Sequence, residues 1–207
     1  MLEAHKYEEY QGFDSLYYAE ITKDDATGFT AGTPAILAPA GEISVSTENA
    51  SAIRYYDNQA WAVVSSEGAD TVNLVVPILP AALKGLLTGK VVDTVTGAVF
   101  DTGEPETKYF AIGYRLRFTD GSYRYVWRHK GTFRIDSEEA KTKDNSTDTN
   151  NQTLIFTGMN TKFRFDMPDG KKKPSKQIVV DERDEKADVT NWFTTVITPE
   201  TIVPLVE

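Results

Sequence analysis

The stretch FAIGYRLRFTDGSYRYVWRHK, residues 110–130, is the clearest strand-turn-strand pattern in the chain and decides the fold class. Asp120-Gly121 predicts a two-residue turn, because a type I′ turn needs positive φ at both central positions. The runs on either side alternate with a period of two, which is typical of half-buried strands. The stretch therefore predicts a β-hairpin, here called the basic hairpin.

The predicted register gives the basic hairpin two faces of different chemistry. One face is aromatic and apolar, with the pairs Phe118–Tyr123, Leu116–Tyr125 and Tyr114–Trp127. The other face collects the cations Arg115, Arg117, Arg124, Arg128 and Lys130. Arg117 lies directly opposite Arg124, and facing like charges destabilise a sheet. The cationic face therefore needs carboxylates, which either the same chain or a neighbouring copy could supply.

The charge distribution makes this hairpin a basic island in an acidic chain. The net charge is −9 over 207 residues, and residues 1–100 contain 5 Lys and Arg against 13 Asp and Glu. Residues 108–134 contain seven basic residues and one acidic residue. Such an island indicates either a nucleic-acid patch or a complement to acidic protein surface. The acidic total, and the predicted separation of arginines from aromatics, favour the second interpretation.

The rest of the sequence predicts a mainly-β fold, a sandwich or barrel with one or two short flanking helices and long loops. Hydrophobic residues make up 40% of the chain, enough for a buried core. The predicted strands lie at 15–22, 42–47, 52–56, 60–66, 71–79, 131–136, 152–158, 161–167 and 177–181, besides the basic hairpin. The predicted helices lie at 79–89, between Pro80 and Gly89, and at 188–199, with Trp192, Phe193 and Val196 on one side. Residues 137–152 contain no large apolar side chain and predict an exposed loop.

The sequence offers little for catalysis or metal binding. There is no cysteine, and the two histidines, His5 and His129, have no partners at metal-ligand spacing. Acidic pairs such as Glu138-Glu139 lie in turn or loop sequence, where nothing separates their pKa values. We therefore expect no catalytic, metal-binding or cofactor-binding residues. No signal-like N-terminus or bilayer-length apolar run is present, so we expect cytosolic synthesis and no membrane partner.

Five segments, in order along the chain, resemble the major tail protein family of long, non-contractile-tailed phages and related prophages of Gram-positive bacteria. They are LYYAEITKDDATGFTAGTPAILAPAGEISVS (16–46), PAALKGLLTG (80–89), YFAIGYRLRFTDGSYRYVWRHKGTF (109–133), EEAKTKDNS (138–146) and DEKADVTNWFTTV (184–196). Residues 48–60 depart from the family, because YYDNQAW stands where an Asp-Asp-Gly turn is expected.

The resemblance implies a structural virion protein made in the host cytoplasm and located in the phage tail. It implies one tail tube domain over 1–207, with an N-terminal arm (1–14), the loop 137–152 and a C-terminal segment (168–207) containing a short helix. Copies would form six-membered rings that stack into a tube, and one hairpin per subunit would line the channel. The implied partners are further copies and the tape measure, tail terminator and distal tail proteins, with genome DNA as passing cargo.

This family assignment suggests two sets of contact residues. The basic hairpin would meet an acidic neighbour in the ring through Arg115, Arg117, Arg124, Arg128 and Lys130. The loop 137–152 would contact the next ring through Glu138, Glu139, Lys141, Lys143 and Asp144, since it cannot bury itself. A channel for DNA should not attract phosphates strongly, so we expect the arginines to face protein.

Overall fold

The computed structural model describes residues 7–135 and 151–205 of the chain. This part is mainly β, as predicted. Its strands are β1 (Tyr10–Asp25), β2 (Gly28–Ala31), β3 (Ala35–Ile36), β4 (Glu42–Tyr56), β5 (Gln59–Pro77), β6 (Val91–Val92), β7 (Val99–Phe100), β8 (Phe110–Phe118), β9 (Tyr123–Ile135), β10 (Asn151–Gly158), β11 (Phe165–Asp166), β12 (Lys172–Lys173) and β13 (Gln177–Asp181). A helix, α1 (Ala81–Leu87), and a single 3-10 turn (Glu182–Asp184) complete the regular elements of the described residues.

One curled antiparallel sheet forms the body, with strand order β2-β1-β8-β9-β10-β5-β4. The short β3 also pairs with β1, and β13 pairs with β9. Two small two-stranded sheets, β6–β7 and β11–β12, lie outside it. The basic hairpin is β8–β9 and occupies the middle of the main sheet.

The sheet divides at β9, because two different strands share one edge of it. The first half of β9 pairs with β13, from Asp181 opposite Arg124 to Gln177 opposite Arg128. The second half pairs with β10, beginning with Gly158 opposite Gly131. We call these the β13 branch and the β10–β5–β4 branch.

The basic hairpin is buried on both faces, since successive side chains of a strand point to opposite sides. On one face, Ile112, Tyr114 and Val126 join a core that includes Leu74, Leu154 and Phe156. On the other face, Ala111 and Trp127 pack with Trp192 of the C-terminal segment. The indole Nε1–H of Trp127 donates to the carbonyl of Trp192 at 2.9 Å.

The predicted register of the basic hairpin is wrong by one residue. The turn has three residues, with Phe118 N–H donating to Ser122 O at 2.9 Å and Gly121 N–H to Phe118 O at 3.1 Å. Gly121 has φ +90°, whereas Asp120 is not left-handed and instead accepts the Ser122 N–H through its carboxylate. The turn is a three-residue turn that ends in a glycine bulge. An Asp-Gly sequence is compatible with this turn as well as with a type I′ turn.

The shift removes the predicted cationic face. Arg117 lies opposite Tyr123, and Arg124 lies opposite Leu116. When the register slips by one residue, side chains of the two strands that would share one face of the hairpin point to opposite faces. The arginines are therefore divided between the two faces, and the like-charge pair Arg117–Arg124 does not exist.

One of the two predicted helices is confirmed and the other is wrong. Helix α1 matches the prediction around 80–89. Residues 190–195 instead form turns, with Trp192 N–H bonded to Val189 O and Thr194 N–H to Asn191 O. Thr and Val favour a helix poorly, and tertiary packing still buries Trp192 and Val196 without one.

Two predicted loop boundaries also need correction. Within the predicted arm 1–14, residues 10–14 belong to β1 and pair with β8, from Tyr10 opposite Phe118 to Asp14 opposite Arg115. Of the predicted loop 137–152, residues 151–152 begin β10. Residues 137–150, with the candidate contacts Glu138, Glu139, Lys141, Lys143 and Asp144, lie outside the described residues.

Candidate interaction surface

A two-stranded ribbon extends from the body and carries six large exposed apolar side chains. It is the outer part of β4–β5, residues 48–67, here called the ribbon. β4 and β5 pair with each other as far as Tyr56 opposite Gln59, whereas β10 accompanies β5 only over Asp70–Pro77. Asp57 and Asn58 close its tip with φ of +49° and +61°, the conformation of a type I′ turn.

The ribbon's large apolar side chains remain mostly exposed in the part of the chain that the structure describes. Six of them are between 50% and 77% exposed: Ile53, Tyr55, Tyr56, Trp61, Val63 and Val64. The consecutive pairs Ile53–Val63 and Ala52–Val64 place apolar groups on both faces. An isolated two-stranded hairpin is marginally stable in water, and contiguous exposed apolar surface marks interaction sites. The ribbon therefore has the composition of a segment that is covered by a partner.

Sequence reasoning located these strands but missed their exposure. It predicted separate strands at 42–47 and 52–56, and at 60–66 and 71–79, where the structure has two continuous strands. The available signal was WAVV at 61–64, a run of consecutive apolar residues without alternation. Such a run is typical of a strand covered on both faces, so it indicates that both faces need cover without showing what supplies it.

Four of the five predicted interface cations of the basic hairpin bind carboxylates of their own chain. Arg115 Nε lies 2.5 Å from Asp14 Oδ1, and Lys130 Nζ lies 2.5 Å from Asp24 Oδ2. Arg124 makes a two-pronged contact with Asp181, at 2.5 and 2.7 Å, and Arg128 pairs with Asp70. Arg117 is exposed and makes no ion pair within the described residues. Four of the five cations therefore have carboxylate partners within their own subunit.

The ion pairs Lys130–Asp24 and Arg128–Asp70 are the two most enclosed of these contacts. Both side chains of the first pair are 5% exposed. Burial raises the pKa of Asp24, but hydrogen bonds from Lys130 Nζ and from the backbone N–H groups of Lys162 and Phe163 outweigh it. The pKa of this carboxyl therefore lies below its ordinary value, and Asp24 stays ionised in the folded protein.

His129 is buried against aromatic rings. Its ring lies beside Phe29 and Phe165, and its Nε2–H donates to the carbonyl of Ile197 at 2.9 Å. Burial lowers the pKa of His129 to about 4, because the charged form would lose its hydration. The folded protein therefore holds the neutral ring at pH values where the unfolded chain is protonated.

We expect stability to fall as the pH drops from about 6.5 to about 4. In this window the unfolded chain binds a proton at His129 and the folded protein does not. The free energy of unfolding therefore falls by roughly 1.4 kcal/mol for each pH unit of acidification. Below this window, protonation of Asp24, Asp70 and Asp181, whose pKa values are lowered, destabilises the protein further. Urea unfolding at pH 7 and pH 5 measures the slope, and His129→Gln should flatten it; an unchanged slope in that variant would contradict the assignment.

The described residues contain no group of three or more potential ligand side chains that could hold a metal ion. Within residues 7–135 and 151–205, no helix has the length and apolarity needed to span a bilayer.

Comparison with protein-family models finds none that matches the chain, and comparison with curated proteins finds no match.

Proposed function

We propose that the chain is a self-assembling structural protein of the virion, forming six-membered rings that stack into the tail tube of a long, non-contractile phage tail. The observation that carries this proposal is the ribbon. The body is folded around a two-sided core, yet it leaves six large apolar side chains on an unaccompanied pair of strands. A second copy of the chain is the partner that can cover them at every subunit of a tube.

Three further observations support this proposal. The resemblance to the tail protein family runs through five segments in the right order. The fold is mainly β with one short helix in its described part, in agreement with what that resemblance implies. The net charge of −9 suits a conduit through which DNA slides, since an acidic protein does not attract phosphates strongly. The tape measure, tail terminator and distal tail proteins remain the proposed partners at the tube's ends.

The alternative function, a nucleic-acid-binding module built on the basic hairpin, gains no support from the geometry. Arg115, Arg124, Arg128 and Lys130 are already neutralised by carboxylates. Tyr114 and Trp127, which would have to stack on bases, are buried in the core. Direct single-strand binding needs exposed aromatic rings beside free cations.

Trp61 provides a direct test of assembly through the ribbon. It is 77% exposed, whereas Trp127 and Trp192, the other tryptophans, are buried. We expect iodide to quench the fluorescence of Trp61 in dilute protein and to lose access as concentration rises and sedimentation shows rings or tubes. We expect iodide to lose access because Trp61 would be buried in the interface between copies.

Trp61→Phe is the control, because it removes the reporter while keeping an apolar ring. This variant should assemble and show little quenching at any concentration. Concentrated protein that stays monomeric would contradict the proposed function. Assembly with Trp61 still fully quenched would show that copies associate through another surface.

A further inference from the structure

We propose that four charged side chains at the base of the ribbon form a joint that holds the ribbon at one angle to the body in the free subunit. They are Glu67, Asp70, Arg128 and Lys176, here called the root cluster. The consequence for assembly rests on the proposed function, whereas the joint itself is a property of the single chain.

Asp70 is the centre of the root cluster. Its carboxylate accepts hydrogen bonds from Thr47 Oγ1 at 2.8 Å, from Lys176 Nζ at 3.1 Å and from Arg128 Nη1. Thr47 lies opposite Asp70 in the β4–β5 register, where the ribbon begins. A carboxylate with three donors has a narrow choice of positions, because each hydrogen bond has its own distance and direction.

Lys176 connects the two branches of the sheet. Its ammonium group binds Glu67 Oε1 at 2.7 Å and the carbonyl of Gly68 at 2.8 Å, in addition to Asp70. Its own carbonyl accepts the N–H of His129, and the next residue, Gln177, begins β13. The Lys176 side chain, next to β13, therefore binds Glu67, Gly68 and Asp70 at the base of the ribbon.

The root cluster bridges a gap that apolar packing leaves open. Between the branches lies a cleft of about 580 Å³, lined by residues that include Ile43 and Val45 of β4, Val179 of β13 and Arg128. The register of β4–β5 also shifts between Thr47 and Asn49, at the same level as the cluster. A bulge bends a strand pair, so the direction of the ribbon has to be set by contacts at this point.

The charges and burial of the root cluster suit a role in setting the direction of the ribbon. Two cations face two carboxylates, so the cluster is neutral as a whole, and exposure rises from 2% for the Asp70 side chain to 62% for Glu67. Hydrophobic burial is non-directional, whereas these contacts are satisfied only in one geometry. The ribbon beyond them has no buried side chain to orient it.

The test measures the angle of the ribbon in dilute, unassembled protein. Because the chain contains no cysteine, Ser51→Cys on the ribbon and Val179→Cys on the β13 branch can carry two spin labels and no others. In the otherwise unchanged chain we expect a single narrow distance distribution. Lys176→Gln removes the ammonium that joins the branches, so we expect the narrow peak to be lost in a broad distribution.

Lys173→Gln is the matched control, since Lys173 pairs with Asp169 in an exposed turn of the same segment. Its distribution should equal that of the unchanged chain. A broad distribution before any mutation, or a narrow one at the same mean distance in Lys176→Gln, would overturn the joint. Glu67→Gln, which breaks only the exposed contact, serves as a second variant if Lys176→Gln does not fold, and it should broaden the distribution more weakly.

The measurement separates the joint from the proposed function. If the unchanged chain shows a narrow distribution and never assembles, the joint stands and the tube assignment fails. If it assembles and Lys176→Gln keeps the narrow distribution, the reverse holds.

Discussion

Replacing residues 51–65 by Asn-Gly is expected to abolish assembly and to leave the body folded. The new turn would join Ala50 to Ser66, which face each other across the ribbon. Asn-Gly suits a two-residue hairpin turn, so the remaining strands can close without strain. No side chain in the removed segment is buried in the body, and the core clusters contain none of its residues. Sedimentation measures the assembly, and thermal melting measures the body.

A milder variant tests whether the apolar side chains themselves are responsible. Ile53 and Val63 lie opposite each other on the ribbon and are 50% and 68% exposed. Burying such a side chain contributes about 1.5–3 kcal/mol, so Ile53→Ser with Val63→Ser should raise the concentration needed for assembly at least ~10-fold. Val95→Ser is the control, because Val95 is 90% exposed in the turn between β6 and β7. Equal effects of the two changes would argue against a specific role for the ribbon.

Lys130→Gln is expected to cause a large loss of stability in the subunit. It leaves the carboxylate of Asp24 without its cation in a site where both side chains are 5% exposed. Breaking a buried pair in this way costs about 3–5 kcal/mol, and a chain of this size loses about 2–4 °C of melting temperature per kcal/mol. Thermal melting of the dilute subunit at neutral pH measures the effect.

Arg117→Gln is the matched control on the same hairpin. Arg117 is exposed and makes no ion pair in the described chain, so its replacement should change the stability by less than about 0.5 kcal/mol. If Lys130→Gln melts like the unchanged protein but assembles poorly, the cation acts between subunits and the pairing within the chain is not what stabilises it. If Arg117→Gln alone impairs assembly, Arg117 belongs to an interface between copies.

The two sets of variants separate the body from the ribbon. The ribbon variants should change assembly without changing the melting of the subunit, and the Lys130 variant should do the opposite. This division follows from burial, because the basic hairpin is covered on both faces by its own chain, whereas no described residue buries either face of the ribbon.

The sequence by itself determined the local features of this protein. Alternating apolar residues predicted strands at 110–130 and in most other segments, and Asp-Gly predicted the turn at Gly121. Pro80 and Gly89 bounded the predicted helix that α1 confirms. These features depend on neighbours a few residues apart, so local sterics and hydrophobic periodicity are enough to specify them.

Only the tertiary structure decided the register of the basic hairpin, the partners of its cations and the exposure of the ribbon. Asp-Gly is compatible with two turn lengths, and the choice between them depends on which register buries both faces against β1, β10 and the C-terminal segment. Asp24 and Asp70 are far from Lys130 and Arg128 in sequence and meet them only across the folded sheet. The apolar residues of the ribbon resemble core residues in composition, and what distinguishes them is that no third strand among residues 7–135 and 151–205 pairs with the ribbon. Burial is a property of the assembled neighbours, and the chain's own sequence does not reveal which neighbour is missing.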